Sequence, residues 1–385
     1  MYGFDEREGT IRKFVGEKTS TMENLVKDKK IKTDLNKLYN GKKVFVTGHT
    51  GFKGSWLVKM LLLAGADVTG YSLHPATTPS LYKIANISKD ITSFYGDIRD
   101  YEHLKKAFNQ TKPDIVFHLA AQPIVRESYK NPRLTYETNV MGTVNIFECA
   151  RTVEGVKSII NITTDKVYKN NEWVWGYRET DPLDGYDPYS NSKSCSELVT
   201  SSYSNSFFHE LGIPVSTARA GNVIGGGDFA KDRIIPDCIR AALESKTIEV
   251  RNPYSIRPYQ HVLEAIKCYM LIAANQMVDS ELAGNYNIGP DDTDCITTGK
   301  LVDLFCQYWG EKIDWKDCSS PNQPHEASFL RLDCSRLKNI FSWKPTWNIE
   351  DAVEKTCSFT KEWMEGGNLS LIMEKQICDF IANEE

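Results

Sequence analysis

Long hydrophobic runs are missing from this sequence of 385 residues. The longest apolar stretch, near residues 60–64, is far too short to span a bilayer. The first residues, MYGFDERE, lack the basic start and the apolar block of a signal peptide. These absences argue against a membrane partner and predict a cytoplasmic protein.

An excess of basic residues is absent as well. The 46 lysines and arginines face 51 acidic residues, and the net charge is −5. A nucleic-acid binder usually presents clustered cations that release counterions from phosphates, so no nucleic-acid partner is predicted. With 41% hydrophobic and 25% charged residues, the composition is that of an ordinary globular chain that can bury a large core.

Closely spaced cysteine pairs are the third absence. None of the ten cysteines forms a Cys-x-x-Cys pair, and no histidine follows one at zinc-site spacing, so we predict reduced thiols and no metal site. The cysteines stand at positions 149, 195, 238, 268, 295, 306, 318, 334, 357 and 378.

Residues 1–40 form a charged segment in which lysines and acids are interleaved and apolar side chains are sparse. Such a composition cannot bury enough surface to offset the entropy of ordering the chain. We predict a solvated extension that precedes the folded unit.

Short β-rich runs alternate with segments of helical length after residue 40. This alternation predicts βαβ units and a parallel sheet covered by helices on both faces. We predict an α/β fold: a Rossmann-type doubly wound sheet in residues 41–220, and a smaller mixed α/β substrate-binding lobe in residues 221–385 that returns some segments to the main sheet. The predicted strands are 44–47, 67–71, 91–95, 114–117, 157–162 and 214–218.

A glycine-rich turn follows the first predicted strand. Gly48, Gly51 and Gly54 lie between that strand and an apolar helical stretch, which is the context that a dinucleotide-binding loop requires. The glycines allow backbone N–H groups to approach a pyrophosphate, and the helix N-terminus favours its negative charge. The loop therefore predicts dinucleotide binding.

The end of the second strand favours NAD over NADP as the dinucleotide. Ser72 stands where classical NAD enzymes carry an acid for the adenosine ribose, and no Arg or Lys occurs between residues 65 and 79 to meet a 2′-phosphate. Asp97, after the third strand, is a candidate contact for the adenine; an ordinary turn residue is the alternative interpretation.

A tyrosine and a lysine four residues apart share one helix face, where the lysine's charge can lower the phenol's pKa and make it a base. The pattern alone is unspecific, but Tyr189 follows the fifth strand and a loop and comes just before a helix predicted over residues 191–208. Thr164 lies at the end of that strand. We therefore select Tyr189 and Lys193. The pattern occurs at Tyr39/Lys43, Tyr101/Lys105, Tyr189/Lys193 and Tyr308/Lys312.

Taken together, these motifs resemble the extended short-chain dehydrogenase/reductase family, and within it the CDP-glucose branch of the nucleotide-sugar 4,6-dehydratases. The resemblance covers about residues 40–365 and leaves the charged extension outside. The matching stretches are TGHTGFKGSW at 47–56, HLAA at 118–121, TDK at 164–166, GYDPYSNSK at 185–193, RAGNVIGGGD at 219–228, RPYQHV at 257–262 and HEA at 325–327.

The resemblance implies a redox-neutral dehydration of CDP-glucose with NAD as cofactor. Tyr189, helped by Lys193 and Thr164, would serve the oxidation at C4. Asp165 is the candidate acid for the departing C6 hydroxyl and Lys166 the candidate base at C5, where the dTDP-glucose enzymes carry Thr-Asp-Glu. For these roles Asp165 must be protonated and Lys166 must be deprotonated near neutral pH, and burial favours both changes. A surface ion pair between Asp165 and Lys166 is the alternative.

Further contacts are implied for each ligand. Several of these contacts have an alternative interpretation. Asn139 could instead pack inside a helix, and Arg233 and Arg257 could be solvated surface charges. His325 could be a packed loop residue. The predicted cofactor contacts are Gly48, Thr50, Gly51, Phe52, Gly54, Ser72, Asp97, Ile98, Leu119, Ala120, Ala121, Asn139, Tyr189 and Lys193. The predicted substrate contacts are Gln122, Asn222, Arg233, Arg257 and His325.

Two other classes of function remain open at this stage. A nucleotide-sugar 4-epimerase would use the same Thr164, Tyr189 and Lys193 but has no need of Asp165 and Lys166, and a dehydratase of another nucleotide sugar is a close variant. A regulatory protein that binds the cofactor without chemistry would not need the Tyr-Lys pair. The resemblance also implies a homodimer or homotetramer and a role in deoxysugar and polysaccharide synthesis.

Overall fold

The computed structural model describes residues 35–310, 313–320 and 329–383. Most of the predicted extension lies outside these residues, and so does His325. The strands are β1 (Lys43–Thr47), β2 (Asp67–Ser72), β3 (Thr92–Tyr95), β4 (Ile115–His118), β5 (Ser158–Ile162), β6 (Val215–Ala220), β7 (Val223–Ile224), β8 (Ile248–Val250), β9 (Ile256–Pro258), β10 (Gln260–His261), β11 (Asn285–Ile288), β12 (Cys295–Thr297) and β13 (Trp315–Asp317).

The helices connect these strands and cover the sheet. Two π-helical turns, Glu137–Met141 and Ser204–Phe208, join α6 to α7 and α8 to α9. The α-helices are α1 (Leu35–Tyr39), α2 (Phe52–Leu63), α3 (Leu81–Ile84), α4 (Tyr101–Thr111), α5 (Val125–Lys130), α6 (Pro132–Tyr136), α7 (Gly142–Thr152), α8 (Pro188–Tyr203), α9 (His209–Leu211), α10 (Ile234–Leu243), α11 (Val262–Val278), α12 (Thr298–Trp309), α13 (Ser335–Phe341), α14 (Ile349–Met364) and α15 (Leu369–Ala382).

Seven strands form one parallel sheet in the order β11-β6-β5-β4-β1-β2-β3. The strand order reverses between β1 and β4, where Thr47 pairs with His118 at the carboxyl ends. Ligands of doubly wound folds bind in the crevice at this reversal. The predicted Rossmann-type architecture is confirmed.

The central strands are buried along their whole length. β4 and β5 consist of buried residues only, because helices cover both faces of the sheet. On one face α2 and α11 pack in the largest apolar cluster, and on the other α4 and α7 pack around Phe45 and Phe147. No helix in the described ranges is long and apolar enough to cross a membrane.

The chain after residue 220 builds a second apolar cluster from α10, α12 and α14. Short pairings accompany it: β13 runs parallel to β8 and β12 antiparallel to β9. β11 also follows residue 220, yet it pairs with β6 at the edge of the main sheet. The division into domains at residue 220 stays a prediction.

Candidate active site

The glycine loop is packed too tightly for side chains at two of its three glycines. Gly48 has a φ of 75°, and a Cβ there would come within 2.9 Å of the backbone nitrogen of Ala120. A Cβ on Gly54 would overlap the carbonyl oxygen of Gly48. Glycine at position 48 therefore allows the loop to approach the segment after β4, and glycine at position 54 allows the helix to pack against the loop itself.

Helix α2 starts at this loop without a side-chain cap. Gly51 is its N-cap residue and has no side chain to accept the first backbone N–H groups, while Phe52 and Lys53 of the first turn line a large cavity. Uncapped N–H groups and the positive end of the helix dipole suit an anion. These residues fit the pyrophosphate of a dinucleotide.

The ends of β2 and β3 lie beside the loop. The Thr50 hydroxyl donates to the Leu73 carbonyl at 2.9 Å and lies 2.9 Å from the Ser72 hydroxyl. The Asp97 carboxylate accepts hydrogen bonds from Arg99, and these hold its pKa below the ordinary value. Ser72 and Asp97 both line the cavity, but Asp97 already has a cationic partner.

The segment after β4 is held by buried polar side chains. Thr47 accepts hydrogen bonds from the backbone N–H groups of Leu119 and Ala120, at 3.1 and 3.0 Å. The Asn139 amide accepts from the Gln122 N–H at 2.8 Å and donates to the Gln122 carbonyl at 3.1 Å. Asn139 thus lies behind the cavity wall and positions the loop that forms it.

Helix α8 carries the Tyr-Lys pair. The Asp187 side chain caps it by accepting from the Ser190 N–H at 3.0 Å, and Pro188 occupies the first helical position. Lys193 is buried and donates from Nζ to the Ile162 carbonyl at 3.0 Å. Burial lowers the pKa of Lys193 to about 8, although the Glu197 charge raises it.

Tyr189 lies at the first turn of α8 and lines the cavity. Burial raises the pKa of Tyr189 to about 12; the Asp165 charge adds to this effect, and a hydrogen bond with Thr164 opposes it. The phenol needs cationic help to act as a base near neutral pH. The charge of Arg233 lowers its pKa, and Lys193 lies one turn along the helix from it.

The Asp165 side chain is buried, with 1% of the residue exposed. Its Oδ1 accepts from the Thr164 hydroxyl at 3.0 Å, and its Oδ2 has no hydrogen-bond partner in the described part of the chain. Burial raises the pKa of Asp165, while Lys166, Thr164 and Arg257 oppose the rise. This environment favours a protonated carboxyl that can donate, not a surface ion pair.

One cavity of about 810 Å³ gathers most of the predicted site. Of the described candidates, Asn139 is the residue that does not line it. The predicted residues that line it are Gly48, Thr50, Gly51, Phe52, Gly54, Ser72, Asp97, Ile98, Leu119, Ala120, Ala121, Gln122, Thr164, Asp165, Lys166, Tyr189, Lys193, Asn222, Arg233 and Arg257.

The candidate substrate contacts differ in how free their side chains are. Gln122 accepts from the Ile124 N–H at 2.7 Å and donates to the Thr135 hydroxyl of α6 at 2.9 Å, so its amide is already engaged by the protein. Arg233 pairs with Asp228 at 3.1 Å and stays partly exposed. Arg257 is buried and donates to the Ile256 carbonyl at 3.0 Å.

Lys53 also lines the cavity, although no role was predicted for it from the sequence. Its Nζ donates to the Tyr269 hydroxyl at 3.1 Å. Burial and the charges of Arg233 and Lys193 lower the pKa of Lys53 to about 7, with Asp165 acting in the opposite direction. A lysine in the first turn of a helix is unfavourable for the helix dipole, and that departure was the available signal.

Comparisons with known proteins agree with this geometry. The family model described as GDP-mannose 4,6 dehydratase matches residues 45–356. The CDP-glucose 4,6-dehydratase of Salmonella typhimurium is 46% identical over 350 residues, which cover 89% of this chain and 97% of that protein. The CDP-paratose 2-epimerase of Salmonella typhi is 27% identical over 83% of this chain and 99% of its own length.

Solved structures share the fold at low sequence identity. The UDP-glucose 4-epimerase of Thermotoga maritima, solved with UDP-glucose, has a TM-score of 0.72 at 22% identity, over 83% of this chain and 99% of that one. The dTDP-glucose 4,6-dehydratase of Bacillus anthracis, solved with NAD, has a TM-score of 0.70 at 21% identity, over 84% and 98%. At these identities the likeness concerns the fold alone.

Proposed function

This chain belongs to the GDP-mannose 4,6-dehydratase family, and from that premise we propose that it is a CDP-glucose 4,6-dehydratase. The reaction converts CDP-D-glucose into CDP-4-dehydro-6-deoxy-D-glucose and water. The single observation that carries the proposal is the buried Asp165 carboxyl, half unpartnered and next to Thr164 in the cavity that Tyr189 lines. The choice of CDP as the nucleotide is supported by the similarity to the Salmonella typhimurium enzyme.

The cofactor of the reaction is NAD, which when bound takes the C4 hydride and later returns it to C6. The backbone of Gly51 and Phe52 at the start of α2 would hold its pyrophosphate, and Thr50 and Ser72 would contact its adenosine ribose. The lack of a cation between residues 65 and 79 favours NAD over NADP.

Oxidation at C4 requires loss of the hydroxyl proton. Tyr189 takes that proton as the general base, and the positive charge of Lys193 favours the phenolate that this role requires. The Thr164 hydroxyl holds the same sugar oxygen. Asn222, Arg233 and Arg257 hold the substrate diphosphate, because guanidinium groups bind phosphate oxygens strongly.

Elimination follows once C4 is a ketone, because the ketone acidifies the hydrogen at C5. Lys166 removes that proton, the C5–C6 double bond forms, and the C6–oxygen bond breaks. Asp165 gives its proton to the departing hydroxyl, which leaves as water. Burial raises the pKa of Asp165 and so shifts this carboxyl toward the protonated form that a general acid needs.

Mass spectrometry in deuterated water tests the proposal. CDP-, dTDP-, UDP- and GDP-glucose are offered separately with NAD, and CDP-glucose is expected to lose one water and gain one carbon-bound deuterium. A product of unchanged mass would indicate an epimerase instead. Dehydration of another nucleotide sugar in preference would overturn the nucleotide assignment alone.

The proposed enzyme acts in the cytoplasm, where the ten free cysteines stay reduced. Its proposed assembly is a homodimer or homotetramer formed through α6, the π-helical turn after it and α8, where Leu134, Met141 and Leu198 are exposed. Light scattering on a sizing column should show an oligomer that Leu198→Glu (58% exposed) breaks into monomers and that Leu371→Glu (59% exposed) leaves intact. Monomeric wild-type protein would contradict the assembly.

A further inference from the structure

Helix α8 carries a third polar residue in register with the Tyr-Lys pair. Tyr189, Lys193 and Glu197 follow one another at intervals of four, so they lie along one face of the helix. Tyr189 and Lys193 line the cavity, whereas Glu197 lies behind it, buried. Burying a carboxylate costs free energy unless it is paired and hydrogen-bonded, so the contacts of Glu197 with the protein have to offset that cost.

Those contacts join the helix to the strand ends that bear the site. Thr163, at the end of β5, donates from its hydroxyl to Glu197 Oε1 at 2.5 Å. Arg219 of β6 donates from Nε to Oε1 at 2.9 Å and from Nη2 to Oε2 at 2.8 Å. Glu197 therefore fixes the distance between α8 and the segment that continues into Thr164 and Asp165.

The Glu197–Arg219 pair is sealed from solvent, with 1% of each side chain exposed. Arg219 Nη1 also donates to the Tyr168 hydroxyl at 2.8 Å and to the Glu179 carbonyl at 3.0 Å. The bidentate geometry offsets the cost of removing both charges from water and leaves the carboxylate no freedom to turn.

The Glu197 charge also acts on Lys193. Two other titratable groups in the described residues respond to the Lys193 charge, Lys53 from α2 and His118 from β4. Burial lowers the pKa of His118 to about 3, so its ring is neutral, and Lys53 is itself basic. Among the described residues, Glu197 is the carboxylate that raises the Lys193 pKa against burial.

We infer that Glu197 is a positioning residue of the reaction, which holds Thr163 at the site and keeps Lys193 charged, with Arg219 as its buried counter-ion. The inference rests on the proposed function for its kinetic consequences only. It separates into a geometric part, carried by the Thr163 hydrogen bond, and an electrostatic part, carried by the charge. Two variants address the two parts.

Glu197→Gln removes the charge and keeps the size of the side chain. We expect kcat to fall on the order of 100-fold, as for a displaced catalytic group, and the alkaline limb of kcat/KM to move to lower pH because Lys193 loses its proton more easily. Glu197→Asp restores the charge and should return that limb toward its wild-type position. Unchanged kcat and an unmoved limb in Glu197→Gln would overturn the inference.

Thr163→Val removes the hydrogen bond and keeps both charges. We expect about a 10-fold lower kcat with the alkaline limb in its wild-type position. If Glu197→Gln fails to fold because Arg219 is left unpaired, Glu197→Gln/Arg219→Met removes the whole pair. The alkaline limb should still move to lower pH, by less than in the single variant, because the repulsion from Arg219 is lost as well. Glu264→Gln, at another buried carboxylate distant from α8, is the matched control, and its alkaline limb should stay in place.

A titration without substrate separates this inference from the proposed function. In protein labelled with ¹⁵N-lysine, the Lys193 signal is identified by its loss in Lys193→Met, and its midpoint should be lower in Glu197→Gln than in the wild type. An equal midpoint would refute the electrostatic part even in an active enzyme. A wild type that turns over no nucleotide sugar would refute the proposed function and leave the titration decisive.

Discussion

Replacing Asp165 by asparagine is the sharpest perturbation of the proposed chemistry. Asparagine has nearly the same shape, and its carbonyl oxygen can still accept the Thr164 hydroxyl, which lies 3.0 Å from Oδ1. What disappears is the ionisable group that can give a proton. A positioned general acid contributes roughly 10²- to 10⁴-fold to a rate, so dehydration should slow by that factor, or about 3 to 5 kcal/mol in the barrier.

The oxidation half of the reaction should survive in Asp165→Asn. Tyr189 and Lys193 are untouched, so CDP-glucose mixed with enzyme and NAD should still produce the near-ultraviolet absorbance of NADH. That absorbance should persist, because without elimination there is no C5–C6 double bond to receive the hydride at C6. Stopped-flow absorbance and quenched mass spectrometry measure the two halves separately. Wild-type dehydration by this variant would refute the assignment of Asp165 as the acid.

The same substitution should stabilise the fold. Because the pKa of Asp165 is raised in the folded state, folding takes up a proton, and the cost of ionising the buried carboxyl grows as pH rises above the ordinary range of an aspartate. Asparagine has no such cost, so its gain in stability over the wild type should increase from acid to neutral pH. Urea unfolding at several pH values measures this gain.

A control at the opposite end of the sheet separates general stability from the site. Asp114 accepts from the Lys43 N–H at 3.0 Å and pairs with Lys157 at 2.8 Å, and these contacts lower its pKa. Asp114→Asn should lose stability at neutral pH, with the loss shrinking as acid protonates the wild-type carboxylate, and should dehydrate CDP-glucose normally. An Asp165→Asn that is less stable than the wild type at neutral pH would contradict the burial argument.

Three further predictions concern other parts of the site. Tyr189→Phe should lower C4 oxidation by about 10²- to 10⁴-fold in single-turnover absorbance, because the base is gone; a normal NADH burst would contradict its role. Gly48→Ala should cost at least ~1 kcal/mol in urea unfolding and weaken NAD binding in calorimetry, because φ is 75° and Ala120 N is 2.9 Å from the new Cβ; full NAD affinity would contradict the cradle. Arg233→Met should weaken CDP-glucose binding by about 10- to 100-fold with NAD affinity unchanged. Equal losses of affinity for CDP-glucose and for NAD would contradict a specific contact between Arg233 and the substrate.

Local patterns in the chain were sufficient for the framework of the fold and for much of the site. The Gly48, Gly51 and Gly54 spacing after a β-rich run indicated a dinucleotide loop, because such a turn depends on backbone freedom that the residue type itself determines. Strand and helix alternation indicated the parallel sheet for the same reason: period and length are local properties. Tyr189 and Lys193 were recognisable because, unlike three other pairs with this spacing, they follow the fifth strand, which ends at Thr164.

Tertiary structure alone decided which of these groups are charged and what holds them. Asp165 and Lys166 could have formed a surface ion pair, and only the burial of Asp165 raises its pKa. Lys53 meets Tyr269 across 216 positions of the chain, and Glu197 meets Arg219 across 22. Desolvation and ion pairing depend on the distance between atoms in the folded molecule, and the linear order of the residues does not contain that distance.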